Sequence, residues 1–200
     1  MPYPCLNEPL AAGDVLRPGG LALTDEALTW CALPHAARVL DVGCGTGAAV
    51  AHLRERYGYR AVGIDSAATG GHCMQALAES LPVKDASCNC VLCECVLSLV
   101  SDPERSLREM HRVLLPAGCA IVSDIYDRSQ AGRVPELLSR CGFSVFFWQD
   151  HTRSLREFAA AAALQGRPGE ACLPSGLCPK QAGYYLAIAR KDIPDGQRTV

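Results

Sequence analysis

The sequence predicts an α/β fold, a mostly parallel sheet wound on both faces by helices. Its last strand is expected to be antiparallel, and the chain is shortened after the second strand. Three observations carry this expectation. The first is the stretch 38–47, Arg-Val-Leu-Asp-Val-Gly-Cys-Gly-Thr-Gly, where an apolar run breaks into glycines before an Ala-rich helical segment at 48–57. Strand, glycine turn and helix in that order make the first crossover of a parallel sheet. The second is the recurrence of short apolar runs ending at carboxylates: Asp41, Asp65, Glu94 and Asp124 all fall at or near strand ends. The third is the gap between Asp65 and Pro82, too short for a helix of normal length, a strand and their connections.

Two hundred residues, 49% hydrophobic and 20% charged, suit one domain with a full core. The expected division is an entrance loop or lid at 1–22, a main domain at 23–190 and a tail at 191–200. A net charge of −2 gives no bulk attraction to nucleic acid or to an anionic membrane. The longest apolar run, 88–100, is interrupted by Asn89 and Glu94 and is too short to span a bilayer. No basic-then-apolar leader opens the chain, so a cytoplasmic location is expected. A homodimer is left open.

Twelve cysteines are present. Cys31, Cys44, Cys73, Cys90, Cys93, Cys119 and Cys141 fall in or beside expected core elements, where a reduced Cys acts as a small hydrophobe. The run Cys88-x-Cys90-x-x-Cys93-x-Cys95 has a metal-like density. On one extended strand, however, 88 and 90 face one way and 93 and 95 the other, so the four sulfurs do not converge and no metal is expected.

Taken in order, 1–22 is rich in Pro and Gly, and Thr24 is expected to cap a helix over 25–31 that Pro34 ends. The first strand covers 38–42. The helix after it starts near Gly45 or Thr46 and stops at Gly58; the second strand covers 60–64. A loop or single helical turn and a rump of strand near 72–75 should follow, because Thr69-Gly70-Gly71 disfavours a helix. The fourth strand covers 89–95. Asp102 caps a helix with Pro103 at its first position and Leu107, Met110, Val113 and Leu114 on one face. Pro116-Ala-Gly118 turns into a strand at 119–125; a short helix at 134–141, a strand at 143–148 and a helix from Thr152 to Leu164 complete the wound part. An irregular loop at 165–182, a last strand at 184–189 beside the fifth and a frayed tail are expected to close the chain.

The glycines are not spaced as a dinucleotide fingerprint, since the third comes one residue too early for G-x-G-x-x-G. Val-Leu-Asp-Val-Gly-Cys-Gly-Thr-Gly at 39–47, followed by Val62-Gly63-Ile64-Asp65, closely resembles the class I S-adenosylmethionine (SAM)-dependent methyltransferases. The resemblance implies a Rossmann-like fold, SAM as cofactor and methyl transfer to a small-molecule acceptor. It carries cofactor contacts onto Asp41, Gly43, Cys44, Gly45 and Gly47 in the glycine loop, and onto Asp65 and Ser66 after the second strand. Asp65 would grip the ribose hydroxyls. Asp41 would orient the loop, hold the methionyl amine or simply cap the turn. Glycines at 43, 45 and 47 would let the ligand lie on bare main chain, where any Cβ would collide with it.

Further on, Gln75-Ala-Leu-Ala-Glu-Ser-Leu-Pro82 resembles the family's Gln-Gly-Asp-Ala-Glu-x-Leu-Pro, which puts Leu77 and Ala78 at the adenine. Leu77 stands where the family usually has an Asp for the adenine amino group. Glu94 and Cys95 end the fourth strand at the cofactor wall.

Glu94-Cys-Val-Leu-Ser-Leu-Val100 and Ser123-Asp-Ile-Tyr126 resemble the arsenite methyltransferase branch, whose stretches read Asn-Cys-Val-x-Asn-Leu-Val and Ser-Asp-Val-Tyr. Cys95 matches one of that branch's metalloid-binding cysteines, with Cys172 and Cys178 as further sulfur sources. The branch's Glu-Cys-Leu-Gly-Gly insertion is missing, and only 127–133 stands in its place.

Candidates for touching the acceptor or acting as base are therefore Tyr126, His151 and Cys95. The bland alternatives are a surface His151 and a Cys95 that merely packs. Trp148 reads as core. Arg17 reads either as a partner for the SAM carboxylate or as an exposed loop residue. Two rivals stand beside methylation of a small acceptor: thiol or metalloid methylation through Cys95, and a non-catalytic binding or scaffold subunit. The second draws on Leu77 and on the missing helix over the adenine side.

Overall fold

The structure is a computed structural model that describes residues 15, 17–68, 70–164, 173 and 177–192. Strands β1 (Arg38–Val42), β2 (Arg60–Asp65), β3 (Cys73–Gln75), β4 (Cys88–Glu94), β5 (Leu114–Asp127), β6 (Phe143–Asp150) and β7 (Ala182–Lys191) form one sheet. Their order is β3-β2-β1-β4-β5-β7-β6. The pairs β1–β2, β1–β4, β2–β3 and β4–β5 are parallel, and β7 runs antiparallel between β5 and β6. The antiparallel last strand beside the fifth is thus found as expected.

Helices α1 (Gly20–Thr29), α2 (Ala48–Tyr57) and α5 (Thr152–Leu164) cover one face, packing Leu23, Ala27, Val50, Leu53 and Leu155 onto Val39, Leu92, Ile121 and Ile188. Helices α3 (Pro103–Val113) and α4 (Arg133–Arg140) cover the other, with Leu107, Met110 and Leu138 against Leu40, Val91 and Val122. β1 is buried on both faces, as a central parallel strand must be. From β1 the chain crosses to β2 on one side, while β4 lies on the other. Their diverging carboxyl ends are the switch point where such sheets bind ligands.

Several boundaries differ from those expected. α1 starts at Gly20, inside the stretch read as an entrance loop, behind a left-handed Gly19 (φ 78°). Thr24 is not its cap but a fully buried mid-helix residue. The cap of α2 is Gly47 rather than Gly45 or Thr46. Leu114 belongs to β5, not to α3, and Pro116-Ala-Gly118 is an irregularity inside one 14-residue strand. Asp102 caps α3 as expected, its carboxylate accepting from the Arg105 N–H at 2.9 Å.

The cysteine run is partitioned differently too. Cys88 and Cys93 pack on the α3 side and Cys90 on the α1 side, with Cys95 packed against that same core. The cause is a register shift between Cys88 and Cys90, which flips the alternation, and a left-handed Cys95 (φ 59°) beyond the strand end. Among the described residues no three Cys, His, Asp or Glu side chains are grouped to hold a metal ion, and no helix is long and apolar enough to cross a membrane.

After Asp65 the contraction is as expected: a turn, then a three-residue β3. Its turn docks on the glycine loop, where a Cβ on Gly70 would overlap the Thr46 carbonyl oxygen and lie 3.1 Å from Gly47 Cα. Between β3 and β4 the chain is braced by Arg112 of α3, which donates to the carbonyls of Leu81 (2.9 Å) and Val83 (2.8 Å) and pairs with Asp85 and Glu109. Five backbone and carboxylate acceptors on one guanidinium do here what a packed helix would otherwise do.

Candidate cofactor and acceptor site

The glycine loop hangs from the end of β2. Gly43 and Cys44 both donate their N–H to the Ile64 carbonyl, at 2.6 and 3.1 Å, and Gly47 N–H closes the turn on the Cys44 carbonyl at 2.8 Å. The three glycines turn out to serve different ends. A Cβ on Gly43 (φ 81°) would overlap the Val96 Cγ2 methyl, and one on Gly47 (φ 81°) would lie 2.8 Å from Cys73 Sγ. Both are glycines because the protein itself fills the space. Only Gly45 (φ 51°) has nothing within 4 Å of its Cβ position. The idea that all three keep room for a ligand is therefore corrected to one.

Asp65 fastens that open residue. Its Oδ2 accepts from the Gly45 N–H and its Oδ1 from the Ala67 N–H, each at 2.9 Å. An ionised carboxylate has about four acceptor sites, so each oxygen keeps one for a ligand hydroxyl. Ser66, next in the turn, offers its carbonyl to Gln75 Nε2 at 2.9 Å. Leu77 is 59% exposed beside this turn, whereas the Ala78 side chain points into the core, so only its main chain is free for a ligand.

Asp41 and Glu94 are buried behind the loop. Burial, aided by the Glu94 charge and opposed by Arg17, pushes the Asp41 carboxyl up to about 7. No hydrogen bond to that carboxyl is found among the described residues. Glu94, by contrast, is engaged. Its Oε2 pairs with Arg17 at 2.6 Å and both its oxygens lie within reach of the Thr24 hydroxyl, at 3.1 and 3.3 Å. Arg17 also bonds Thr24 and the Gly20 carbonyl (3.0 Å). Burial raises Glu94 while Arg17 and Thr24 pull it back. The expectation of an exposed Arg17 is overturned: it is buried, linking the start of α1 to the end of β4.

Beyond β4, the Cys95 thiol contacts the Tyr184 hydroxyl at 3.2 Å, which donates to Ser123 Oγ at 3.0 Å. Burial and the Asp124 charge push the Cys95 thiol far up, so it stays protonated. The Cys95 side chain packs against the core on the α1 side. Asp124 is committed to the Ser98 N–H (2.9 Å) and hydroxyl (2.7 Å), fixing the turn after β4.

Tyr126 lies on the opposite face of the sheet from Glu94, with its hydroxyl donating to Asp150 at 2.7 Å and its ring against Trp148 and Tyr185. Burial and the Asp150 bond push it up to about 12, which keeps its hydroxyl protonated near neutrality. Tyr126→Phe is expected to cost about 1 kcal/mol of stability and to leave cofactor affinity unchanged, read by thermal melts and titration calorimetry.

His151 is the candidate that gains. It is mostly buried rather than at the surface, with Nε2 lacking a hydrogen-bond partner among the described residues and 3.9 Å from Glu26 Oε1 of α1. Its backbone N–H donates to the carbonyl of Tyr184, the residue whose hydroxyl contacts Cys95, at 2.7 Å. The contacts of Tyr184 with Cys95 and Ser123, and of Thr24 with Glu94, escaped the sequence reading. Tyr184 meets Cys95 and Ser123 only through the β5–β7 pairing, which no local pattern encodes. Cys172 lies outside the described residues, and Cys178 is exposed.

A methyltransferase domain family matches residues 40–122, from β1 through most of β5. The ubiquinone/menaquinone biosynthesis C-methyltransferase UbiE of Xanthomonas oryzae pv. oryzae (strain MAFF 311018) is 30% identical over 186 residues, covering 74% of each chain. The chain belongs to the class I SAM-dependent methyltransferases.

Solved structures agree on the fold of this methyltransferase family member. The [4+2]-cyclase SpnF superposes with a TM-score of 0.72 at 23% identity, over 86% of this chain and 81% of that one. A geranyl diphosphate C-methyltransferase from Streptomyces coelicolor A3(2), solved with S-adenosylhomocysteine, gives 0.70 at 14% identity, over 86% and 79%. The chain spans only 34–54% of the length of three other curated methyltransferases it matches.

Proposed function

We propose that this methyltransferase family member transfers a methyl group from SAM to a small-molecule acceptor. The observation that carries the reading is the bond from the Gly45 N–H to Asp65 Oδ2, at 2.9 Å beside an open Cβ position. It makes the bare loop and the strand-end carboxylate one rigid cradle. The residues fit the cofactor: Asp65 retains acceptor sites for the two ribose hydroxyls, and Gly45 leaves the main chain approachable. Asp41 is a buried acid without a partner among the described residues, suited to an ammonium.

When bound, SAM supplies a sulfonium whose methyl is already activated. The chain is then left with alignment and the exclusion of water. The Arg17–Glu94–Thr24 strap holds α1 against the end of β4 and shields that side. The Leu77–Ala78 main chain borders the adenine end. His151, whose Nε2 lies 3.9 Å from Glu26 Oε1 without a hydrogen-bond partner among the described residues, is the group suited to take a proton from an acceptor that arrives protonated.

Titration calorimetry with S-adenosylhomocysteine should give a micromolar Kd, and no heat at millimolar ligand overturns the reading. The pH response follows from Asp41. A cation beside it lowers its pKa from about 7, so binding at pH 6 releases up to about one proton and affinity rises with pH through neutrality. Calorimetry in buffers of different ionisation enthalpy reads the release, and Asp41→Asn should remove it. A wild-type signal independent of buffer would dissociate Asp41 from the ammonium. A second reading, binding without methyl transfer, draws on the exposed Leu77 and the contracted segment; tight binding with no methylated product across a metabolite panel would favour it.

A further inference from the structure

We propose that Cys44 and Cys73 are an oxidisable thiol pair whose disulfide distorts the cofactor cradle, so that the glycine loop is a site of redox modification. The inference rests on the reading of that loop as the cofactor site.

Its basis is the packing over Gly63, the one residue of β2 without a side chain. A Cβ there would overlap Cys44 Sγ, lie 2.6 Å from Cys44 Cβ and lie 2.9 Å from Cys73 Sγ. Both sulfurs therefore crowd into the same missing-methyl space. Cys73 Sγ reaches further, to 2.8 Å from the Cβ position of Gly47, and also donates to the Gly71 carbonyl at 3.5 Å. Cys44 stands between Gly43 and Gly45, while Cys73 opens β3 in register with Gly63. A bond between them would tie the two segments on either side of Asp65.

Other cysteines near one another, Cys31, Cys90 and Cys119, are all buried in the core. The Cys44–Cys73 pair differs because Cys73 is half-exposed and open to an oxidant, with Cys44 behind it. Burial pushes the Cys44 thiol far up, which makes it the resolving rather than the attacking sulfur.

With a peroxide as oxidant, the Cys73 sulfur attacks one oxygen. The S–O bond forms, the O–O bond breaks, and water leaves after proton transfer. Cys44 then attacks the sulfenic sulfur, forming the S–S bond and expelling a second water. Two thiols are oxidised and one peroxide is reduced to two waters. A disulfide holds its sulfurs about 2 Å apart, much closer than two thiols in contact. The contraction draws Cys44 toward β3, and its neighbour Gly45 is pulled from the Asp65 carboxylate.

The test uses the whole chain, treated with hydrogen peroxide and analysed by peptide mass mapping and calorimetry with S-adenosylhomocysteine. Expected are a Cys44–Cys73 cross-linked peptide, an affinity lower by about tenfold that dithiothreitol restores, and slower cross-linking under saturating ligand, since the coupling is reciprocal. Cys73→Ser should bind as untreated wild type does and should ignore peroxide. Absence of the cross-link, or a cross-link with unchanged affinity, overturns the proposal. If the reduced protein binds no S-adenosylhomocysteine, the cofactor reading itself fails, while the mass of the cross-link still decides whether the pair forms.

Discussion

Asp65→Ala is expected to abolish measurable S-adenosylhomocysteine binding. The substitution removes the acceptors for the Gly45 and Ala67 N–H groups as well as those available to a ribose. Hydrogen bonds to a charged partner contribute roughly 1.5–3 kcal/mol each, so losing two to the ligand weakens it by roughly 10²–10⁴-fold before any loosening of the loop is counted. Asp65→Asn keeps one carbonyl acceptor but neither the charge nor the second acceptor oxygen, and should fall between. Thermal melts separate this from unfolding, because Asp65 is partly exposed and not part of either apolar core. An Asp65→Ala protein that melts like wild type and binds within threefold of it would remove the carboxylate from the cofactor site.

The second large effect distinguishes two kinds of glycine. Gly43→Ala is expected to cost about 2–5 kcal/mol, from roughly 1–2 for a left-handed residue and roughly 1–3 for overpacking. The added methyl would overlap Val96 Cγ2 and crowd Val96 Cβ and Cγ1 at 3.2 and 3.3 Å. For a chain of this size that is a fall in Tm of about 4–20 °C. Val96→Ala in the same chain should restore the packing share but not the backbone share, a coupling that a double-mutant cycle measures. Gly45→Ala should behave oppositely. Its methyl meets nothing in the protein, so the melt shifts little beyond the cost of φ 51°, yet the ligand loses its place. Equal melting losses for the two variants would show that the packing difference does not matter.

The sheet and the cradle were legible because each rests on a local signal. An apolar run of strand length, glycines and an Ala-rich helix sit side by side in the chain, and Asp65 closes the next run. The opening of α1 was misread for a physical reason. Thr24 before two acids looks like a cap, but its hydroxyl is buried to meet Glu94, seventy residues away. Burial of such a group needs a partner, and the partner is invisible in a local window. The cysteine run failed on facing rather than on position. Alternation tells which residues share a face only while the ladder is regular, and it is broken between Cys88 and Cys90. His151 was placed just past β6, as found, but its cover by α1 depends on packing between elements that no spacing reveals.

Surface connections usually accept extra residues at little thermodynamic cost. The turn after β2 is an exception, because Gly70 presses main chain to main chain on Thr46. With no side chain at the contact to yield, a single insertion near 70 would be transmitted as a displacement of the loop at 46–47. A connection that looks expendable by length thus behaves as a keystone.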